Sequence, residues 1–350
     1  MLWWSSNKTV SLDIGASSIK VVELDVSRDS ANLRSFGFVQ TPPQSLISGE
    51  IADPNAIAAA VKSLLAEIKT KRKSVVVGLW GSGVIVKKIS IPRVEENLLA
   101  DQIKWEAEQY IPFDIKEISL EFTVLKSSST SETMDILLVA AKKPLVYRFM
   151  DIVAGCGLSC DIVDLSTFAL ANCYTFNYGR NPEIVALLDI GSHVTNFAVV
   201  EEGQVLFCRD IPIGGFNFTS DISREMGVSL DEAESLKLAS VSNQQVPEEV
   251  GNIIRHTTEV VADEVQNSFE FFKATSSNQA ISRFYVTGGG AAMPGLADHI
   301  GQVTGASYEI LNPFLRVSFD SKKFSPDYIE QIKLYCAVSI GLALRKVGDV

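Results

Sequence analysis

One sequence pattern occurs twice in this chain and constrains its fold more than any other feature. Residues 11–24 read SLDIGASSIKVVEL and residues 186–200 read ALLDIGSHVTNFAVV. Each copy is an apolar strand, Asp-Ile-Gly, a few small polar residues and a second apolar strand. Asp13 and Asp189 stand 176 positions apart, about half of the chain. This spacing predicts an internal duplication with two equivalent hairpins.

Composition narrows the functional classes. The 350 residues are 46% hydrophobic, enough to bury one large core or two medium ones. The formal net charge of −11 argues against non-specific nucleic-acid binding. No stretch approaches the roughly 18–20 apolar residues of a membrane-spanning helix, and the start MLWWSSNK lacks the pattern of a signal peptide. We expect a cytoplasmic protein without a transmembrane segment.

The five cysteines and three histidines are too scattered to predict a metal cage. The cysteines are odd in number and predict reduced core thiols. They stand at positions 156, 160, 173, 208 and 336, and the histidines at 193, 256 and 299.

The first 180 residues predict an α/β domain interrupted by an insert. The domain elements are a hairpin at 9–25, a strand at 33–40, a helix after Asp53-Pro54, a strand at 74–80, a helix at 143–156, a strand at 160–165 and a helix from Ser166. Residues 84–142 predict a strand, a helix and two strands, with a serine-rich loop between the last two. The residues expected to share one face of the insert helix are Leu98, Leu99, Ile103, Ala107 and Tyr110.

After a break at residues 178–182, the second half repeats the order strand, turn, strand, strand. Helices are then predicted at about 216–226, 230–240 and 247–275. A strand at 283–290 leads into another helix, and a terminal helix is expected to begin near Pro326.

The two hairpins could hold a polyphosphate from opposite sides. Glycine lets the backbone approach phosphate oxygens, and a turn of N–H groups attracts an anion. The hydroxyls of Ser17, Ser18 and Thr195 are candidate donors, and Lys20 could neutralise the charge. Asp13 and Asp189 are compatible with phosphates if Mg²⁺ lies between them, held largely through water. The alternative is ordinary turn chemistry, which explains one copy more easily than two.

Two further stretches could complete a nucleotide site. VTGGGAAMPGL at 286–296 places three glycines between a strand and a helix, where backbone could approach a flat ligand or phosphate; a flexible turn is the alternative. In MGVSLDEAESLK at 226–237, Glu234 and Lys237 share one helix face. They could face a nucleoside or form an ordinary ion pair.

These elements occur in the order of the actin-like nucleotide-binding superfamily, which includes actin, sugar kinases, DnaK-type chaperones and the division protein FtsA. Within it, the chain resembles the PilM family of cytoplasmic type IV pilus assembly proteins over roughly residues 10–346. The stretches that carry the resemblance are LDIGASSIKVVEL at 12–24, IKWEAEQYIPFDIKEISLEFTVL at 103–125, DIPIGGFNFTSDI at 210–222 and YCAVSIGLALR at 335–345.

The resemblance implies an α/β, actin-like (ribonuclease H-like) duplicated two-domain fold with an FtsA-type strand-helix-strand-strand insert. The implied bounds are 1–83 with 143–180 for the first domain, 84–142 for the insert and 181–350 for the second domain. We leave open whether the C-terminal helix packs back on the first domain.

The resemblance also assigns roles to residues of an ATP and Mg²⁺ site. Those of the first phosphate hairpin are Asp13, Gly15, Ser17, Ser18 and Lys20, and those of the second are Asp189, Gly191, Thr195 and Asn196. Backbone approach is assigned to Gly214 and Gly215, the ribose and base contacts to Glu234 and Lys237, and the adenosine loop to Gly288, Gly289, Gly290 and Met293.

The implied partner is the cytoplasmic N-terminal peptide of a PilN-like inner-membrane protein, docked between the insert and the first domain. The chain would then be peripheral to the inner membrane through that partner. Other components of the pilus platform, its motor ATPase and self-association are left open. So is whether Trp3 and Trp4 touch a membrane or cap the first strand.

Turnover of ATP is expected to be slow or absent. The helix that links the domains, 166–176, contains no Glu, Gln or His to position water. Its polar candidates are Ser166, Thr167, Asn172 and Thr175, and Asp13 or Asp189 could act as a base through water. Competing interpretations are a sugar kinase of the same fold, an FtsA-like division protein and a type II secretion component.

Overall fold

The computed structural model describes residues 9–27, 30–47, 49–125, 132–276 and 279–349. Trp3, Trp4 and most of the serine-rich loop lie outside these ranges. The strands are β1 Thr9–Ile14, β2 Ser18–Val26, β3 Ala31–Gln40, β4 Leu46–Ile47, β5 Glu50–Ile51, β6 Ser74–Leu79, β7 Val84–Pro92, β8 Ile118–Val124, β9 Thr133–Lys142, β10 Ser159–Leu165, β11 Val185–Ile190, β12 Thr195–Glu201, β13 Gln204–Ile211, β14 Arg283–Thr287, β15 Ser307–Ile310 and β16 Val317–Phe319.

The helices before the C-terminal segment match the predicted helical stretches closely. They are α1 Pro54–Glu67, α2 Glu96–Tyr110, α3 Lys143–Gly155, α4 Ser166–Tyr178, α5 Gly215–Met226, α6 Leu230–Val241, α7 Glu248–Thr275, α8 Leu296–Thr304, α9 Pro326–Ile332 and α10 Ala337–Ala343. Local signals begin several of them. The Asp53 carboxylate accepts the Asn55 and Ala56 amides at the start of α1, and Ser229 caps α6 in the same way. Within the described ranges, each helix is too short or too polar to cross a lipid bilayer.

Two sheets repeat the same strand arrangement. The first has the order β10-β6-β1-β2-β3-β16, and the second has the order β13-β12-β11-β14-β15. In the first, β1 pairs antiparallel with β2 and parallel with β6. In the second, β11 pairs antiparallel with β12 and parallel with β14. The predicted duplication and the actin-like α/β fold are therefore confirmed.

A separate three-stranded sheet, order β7-β9-β8, accounts for the insert. Its core includes Ile103 and Ala107 of α2, which are fully buried, and Leu99, which is nearly so. Of the five residues predicted to lie on one face of this helix, Leu98 and Tyr110 do not join the core, because they are 55% and 37% exposed. Helix α2 has room for only a narrow apolar stripe against one small sheet, and the Tyr110 ring instead lies 4.9 Å from the Lys87 ammonium.

The linking helix α4 lies between the two large sheets. It contacts β6 and β10 on one side and β11, β12 and β13 on the other, and it packs against α10. Buried residues of α4, α10 and both sheets form one continuous apolar cluster. This shared core holds the two halves together.

The C-terminal segment differs from prediction. A helix begins at Pro326 as predicted, but it ends at Ile332, and a separate helix that was not predicted, α10, begins at Ala337. Helix α10 contacts β1, β2 and β6, and β16 pairs with β3, so both elements join the first sheet. The domain bounds stay a prediction, and we propose moving the C-terminal segment to the first domain.

Candidate functional site: a cleft between two hairpin turns

The first hairpin turn brings an acidic and a basic side chain together. The Gly15 amide donates to the Ser18 carbonyl at 3.0 Å and closes the turn between β1 and β2. The strand register sets Asp13 opposite Lys20. The Lys20 Nζ lies 3.1 Å from Asp13 Oδ2, and both side chains are largely buried. In the structure, Lys20 therefore pairs with its own hairpin's carboxylate.

The second hairpin repeats this geometry. The Gly191 amide donates to the Val194 carbonyl at 3.0 Å, and Asp189 lies opposite Asn196. Asn196 thus occupies the position that Lys20 has in the first hairpin, so the second turn carries an amide in place of an ammonium. The remaining candidate, Thr195, is fully buried and donates to the Ile213 carbonyl at 2.8 Å, away from the cleft.

The turns also present unused backbone donors. In the described part of the chain, no protein acceptor is recorded for the amides of Ala16, Ser17, Ser192 and His193. All four residues line the same cleft. Free amides in a glycine-containing turn are the donors that bind phosphate in other proteins.

The charges of the two hairpins influence each other. Burial raises the pKa of Asp189 to about 6, Lys20 opposes this shift, and the charges of Asp13 and Asp210 add to it. Burial acts to lower the pKa of Lys20, but attraction to Asp13 and Asp189 outweighs it, so that pKa is raised. At the hairpins, the Lys20 ammonium is therefore attracted to two carboxylates, those of Asp13 and Asp189.

The glycine loop packs directly against the second hairpin. Gly288 has φ +90°, and a side chain there would meet Asp189 Oδ1 and the Ile190 carbonyl oxygen at 2.4 Å. A side chain at Gly290 would meet Ile190 Cγ2 at 2.4 Å. The need for glycine at these two positions comes from the protein's own backbone and not only from a ligand. All three glycines and Met293 line the cleft.

Gly214 and Gly215 join helix α5 to the second turn. The Gly215 amide donates to the Gly191 carbonyl at 2.9 Å, and the Phe216 amide donates to the Ser192 carbonyl at 2.7 Å. A side chain at Gly214 would approach the Gly191 carbonyl oxygen to 2.5 Å. Gly215 lines the cleft, but Gly214 does not, so Gly214 serves the packing of the turn.

Glu234 and Lys237 form the ion pair considered in the sequence analysis, and they also line the cleft. The Lys237 Nζ lies 2.7 Å from Glu234 Oε2. The hydroxyl of Thr219, on the neighbouring helix α5, donates to the same oxygen at 2.5 Å. Glu234 and Lys237 can therefore form an ion pair with each other and still face a nucleoside in the cleft.

The assembled cleft encloses about 590 Å³, within the usual range for small-molecule sites. Both hairpins, the glycine loop and the α6 pair contribute to its walls. The predicted residues that line it are Asp13, Gly15, Ser17, Ser18, Lys20, Asp189, Gly191, Asn196, Gly215, Glu234, Lys237, Gly288, Gly289, Gly290 and Met293.

Sequence reasoning missed several residues at the cleft. His193 stacks on Phe216 with ring centres 4.6 Å apart, and burial and Lys237 lower its pKa. The Asp210 carboxylate accepts from Asn196 Nδ2 at 2.7 Å and from the Gly81 amide at 2.9 Å, which links β13 to the loop after β6. Its position opposite Asn196 could have been found by extending the strand register from the turn.

The linking helix offers one polar group to the cleft. Of its four candidates, Ser166 lines the cleft, and Thr167, Asn172 and Thr175 do not. Ser166 is 4% exposed, and its hydroxyl has no hydrogen-bond partner among the described residues.

The duplicated sheets, the insert and the cleft between the hairpins define an actin-like protein of the FtsA-like branch. The chain belongs to the type IV pilus assembly protein PilM family, whose family model matches residues 11–347.

Three relatives illustrate this placement. A solved PilM-PilN type IV pilus biogenesis complex contains a chain 30% identical to this one, with TM-score 0.87 and coverage of 98% of this chain and 99% of that one. The cell division protein FtsA of Bacillus subtilis is 25% identical over 91% of this chain and 79% of its own length. MreB5 of Spiroplasma citri, solved bound to ADP, shares the fold at 14% identity and TM-score 0.52, with coverage of 93% and 98%.

Proposed function

We propose that this protein is an ATP-binding scaffold of the type IV pilus inner-membrane assembly platform. The observation that carries the proposal is the pair of hairpin turns with matching register, Asp13 opposite Lys20 and Asp189 opposite Asn196, on one cleft. Two turns of this kind can hold a polyphosphate from both sides.

The donors and the shape of the cleft fit a nucleotide. The free amides of both turns and the hydroxyls of Ser17 and Ser18 face phosphate, and the glycine loop with Met293 leaves a flat space for the base. Lys20 changes partner from Asp13 to phosphate. The phosphates of ATP accept hydrogen bonds from the turns of both halves and so draw the halves together. Closure of the cleft therefore depends on ATP.

The donor set also fits Mg²⁺ held largely through water. Asp13 and Asp189 provide two carboxylates, and the described residues contain no cluster of three acidic, His or Cys side chains. Mg²⁺ commonly binds through one or two carboxylates, with water and phosphate oxygens completing its shell. The ion would supply positive charge between the aspartates and the phosphates.

Turnover in this cleft is slow or absent. The linking helix presents the Ser166 hydroxyl, which can hold a water molecule but is too weak a base to deprotonate it. Asp13 and Asp189 are the remaining candidates for a base, and in the nucleotide-bound cleft both would be engaged by the expected ion through water. We propose that the protein uses ATP mainly to set its conformation.

Nucleotide binding is tested by two substitutions in the cleft. Asp189→Ala removes a carboxylate, and Gly289→Asp introduces a negative charge on the adenosine loop. We expect each variant to lose Mg²⁺-dependent ATP binding by at least about 100-fold in calorimetry, with an unchanged circular dichroism spectrum. Gly251→Asp is the matched control, because Gly251 lies on α7 with open space around it. Unchanged ATP affinity in both cleft variants would refute the proposal.

The proposed partner is the cytoplasmic N-terminal peptide of a PilN-like inner-membrane protein. The family match and the similarity to the chain of the PilM-PilN complex support this choice. The peptide docks where α3 meets the insert strand β9 and the first sheet. There, Tyr147 and Met150 of α3 are 56% and 39% exposed, and such residues are enriched at protein interfaces. This partner recruits the protein from the cytoplasm to the inner membrane.

Peptide binding is tested with Tyr147→Ala. We expect fluorescence anisotropy to show binding of the peptide to the unmodified protein, and Tyr147→Ala to weaken it by about tenfold or more. Phe271→Ala is the control, since Phe271 on α7 is similarly exposed, at 51%. No binding up to high micromolar concentration, or equal effects of the two substitutions, would contradict the proposed docking site.

A further inference from the structure

The second half of strand β3 has an open edge. In the first sheet, β3 lies between β2 and β16, but β16 pairs only with residues 31–33. Residues 34–40 therefore have β2 on one side and no described strand on the other. An edge of this kind presents backbone N–H and C=O groups to any chain that can lie beside it.

The pairing with β2 determines which backbone groups face outwards. The Thr41 amide, just past the end of β3, donates to the Ser17 carbonyl at 3.0 Å. Hydrogen-bonded and non-hydrogen-bonded pairs alternate along an antiparallel ladder, so the backbone groups of Phe36, Phe38 and Gln40 point away from β2. Within the described ranges, no hydrogen bond is recorded for these groups. They are therefore available to a further strand.

A groove of about 730 Å³ lies along the start of this edge, between the loop after α1 and the turn before α9. Five basic and three acidic side chains line it, so its net charge is +2, whereas the whole chain carries −11. The groove therefore favours an anionic partner. The basic residues are Arg34, Lys69, Lys71, Arg72 and Lys323, and the acidic ones are Glu23, Asp25 and Glu67.

Two lysines of the groove are not engaged by the protein. The acidic residues already have a partner in Arg72, whose Nε lies 2.7 Å from Glu23 Oε1 and whose Nη2 lies 2.6 Å from Asp25 Oδ1. Lys69 and Lys71, by contrast, are exposed, and no partner is recorded for either among the described residues. Their ammonium groups can therefore pair with the carboxylates of a ligand.

Aromatic side chains follow the same edge. Phe36 lies in the groove, and its ring centre is 6.4 Å from that of Tyr328. Phe38 is 48% exposed, and its ring centre is 6.4 Å from that of Tyr335. Aromatic rings beside a charged rim are typical of surfaces that bind other proteins.

We propose that the open edge of β3 binds an extended acidic segment of a partner protein, which adds to the first sheet as a further strand. The backbone groups of Phe36, Phe38 and Gln40 form the ladder, and Lys69 and Lys71 attract the acidic side chains. Main-chain pairing supplies affinity, and the groove determines the charge of the partner. This site is separate from the α3 surface proposed for the PilN-like peptide, and it does not depend on ATP.

Two other occupants fit this edge less well. A lipid surface can neutralise the lysines, but it offers no regular row of backbone groups to pair with a strand. A second copy of this chain, paired edge to edge, would bring two basic grooves together, and their like charges would repel. An acidic peptide satisfies both the ladder and the charge.

The test uses an array of peptides of about ten residues in which Glu or Asp alternates with apolar residues, and a matched array with Lys at the acidic positions. Fluorescence anisotropy measures the strongest acidic binder against the full chain and its variants. Phe38→Pro removes an outward N–H, and Phe38→Ala retains it. Lys71→Glu reverses a charge of the groove. Lys62→Glu is its control, because Lys62 is exposed on α1 outside the groove.

We expect the acidic peptide to bind at least about tenfold more tightly than its Lys counterpart, and Phe38→Pro to weaken its binding by about tenfold. Phe38→Ala should weaken it clearly less. Lys71→Glu should weaken binding by about threefold at low salt, and Lys62→Glu should leave it unchanged.

Modified peptides test the ladder without altering the protein. Only every second N–H of an added strand faces β3, so N-methylation of one alternate set of residues should abolish binding and N-methylation of the other should not. Equal effects of the two methylations, equal affinity for acidic and Lys peptides, or no acidic binder up to millimolar concentration would overturn the inference. So would self-association, or binding to phosphatidylglycerol vesicles, that replaces peptide binding and is lost in Lys71→Glu. None of these outcomes bears on ATP binding.

Discussion

Asp189 is a buried carboxylate whose negative charge is unfavourable in the ligand-free cleft. Burial raises its pKa to about 6 from an ordinary value of 3.8, despite the nearby Lys20. Between about pH 4 and pH 6, Asp189 in the native state therefore still holds a proton that it has already lost in the unfolded chain. Stability of the ligand-free protein should fall as the pH rises from about 4 to 6, and the penalty is fully present above that range.

Replacing Asp189 by a neutral residue should relieve this penalty. We expect Asp189→Asn to raise the free energy of unfolding at pH 8 by roughly 1–3 kcal/mol, and to raise it less at pH 4.5, because the wild-type carboxyl is then protonated. Urea unfolding without nucleotide measures both values. Asp263→Asn, at an exposed position on α7, is the control. A variant less stable than the wild type at pH 8 would contradict this account of the charges.

At the residue scale, the sequence predicts the position of those side chains that is determined by the geometry of a single hairpin. Asp13, Lys20 and Asp189 could be placed in the cleft because a closed turn fixes which strand residues face each other. Thr219 could not be placed, because its partners lie on another helix and depend on how α5 packs against α6. Gly214 could be singled out as a glycine, but its crowding by Gly191 is a tertiary contact.

Helix α10 packs against α4 more closely than a side chain would allow. A Cβ at Gly341 would lie 1.8 Å from the Ala169 carbonyl oxygen, which is backbone and cannot move aside independently. This contact gives a physical reason for glycine in the GLALR stretch.

Gly341→Ala should therefore destabilise the protein strongly. We expect a loss of roughly 3 kcal/mol or more, at the upper end for overpacking, measured by urea unfolding. Gly251→Ala is the same substitution within α7 at an open position, and it should stabilise by roughly 0.5–1 kcal/mol. Similar effects for the two substitutions would show that α4 and α10 are not packed as described.

At the element scale, long periodic segments could be predicted well and short ones could not. Helices α5, α6 and α7 begin and end within one residue of the expected positions, because their apolar periodicity and flanking signals agree. The strand β16 has three residues and exists only through its pairing with β3. The division of the terminal helix into α9 and α10 likewise follows from how this segment packs on the first sheet.

At the scale of the whole molecule, residues of both large sheets line the cleft. The linking helix α4 and the terminal helix α10 share one apolar core with strands of each half. The Asp210 carboxylate connects the second hairpin, through Asn196, to Gly81 at the base of the insert. The second hairpin is therefore connected to the loop before the insert, next to which the proposed partner site lies.

The duplication made the position of the cleft between the two sheets predictable. Two copies of one hairpin, at matching positions in two sheets, can face each other across a shared site in few ways. The relative placement of the halves is determined by contacts between distant residues, such as Ala169 with Gly341, and no local pattern encodes them.

The central claim is that one Mg²⁺–ATP binds between both hairpin turns. A crystal structure of the full chain with Mg²⁺ and a non-hydrolysable ATP analogue tests it most directly. We predict the polyphosphate between residues 15–18 and residues 191–194, with the base against the glycine loop and α6. An analogue that contacts only one hairpin, or binds outside this cleft, would contradict the account.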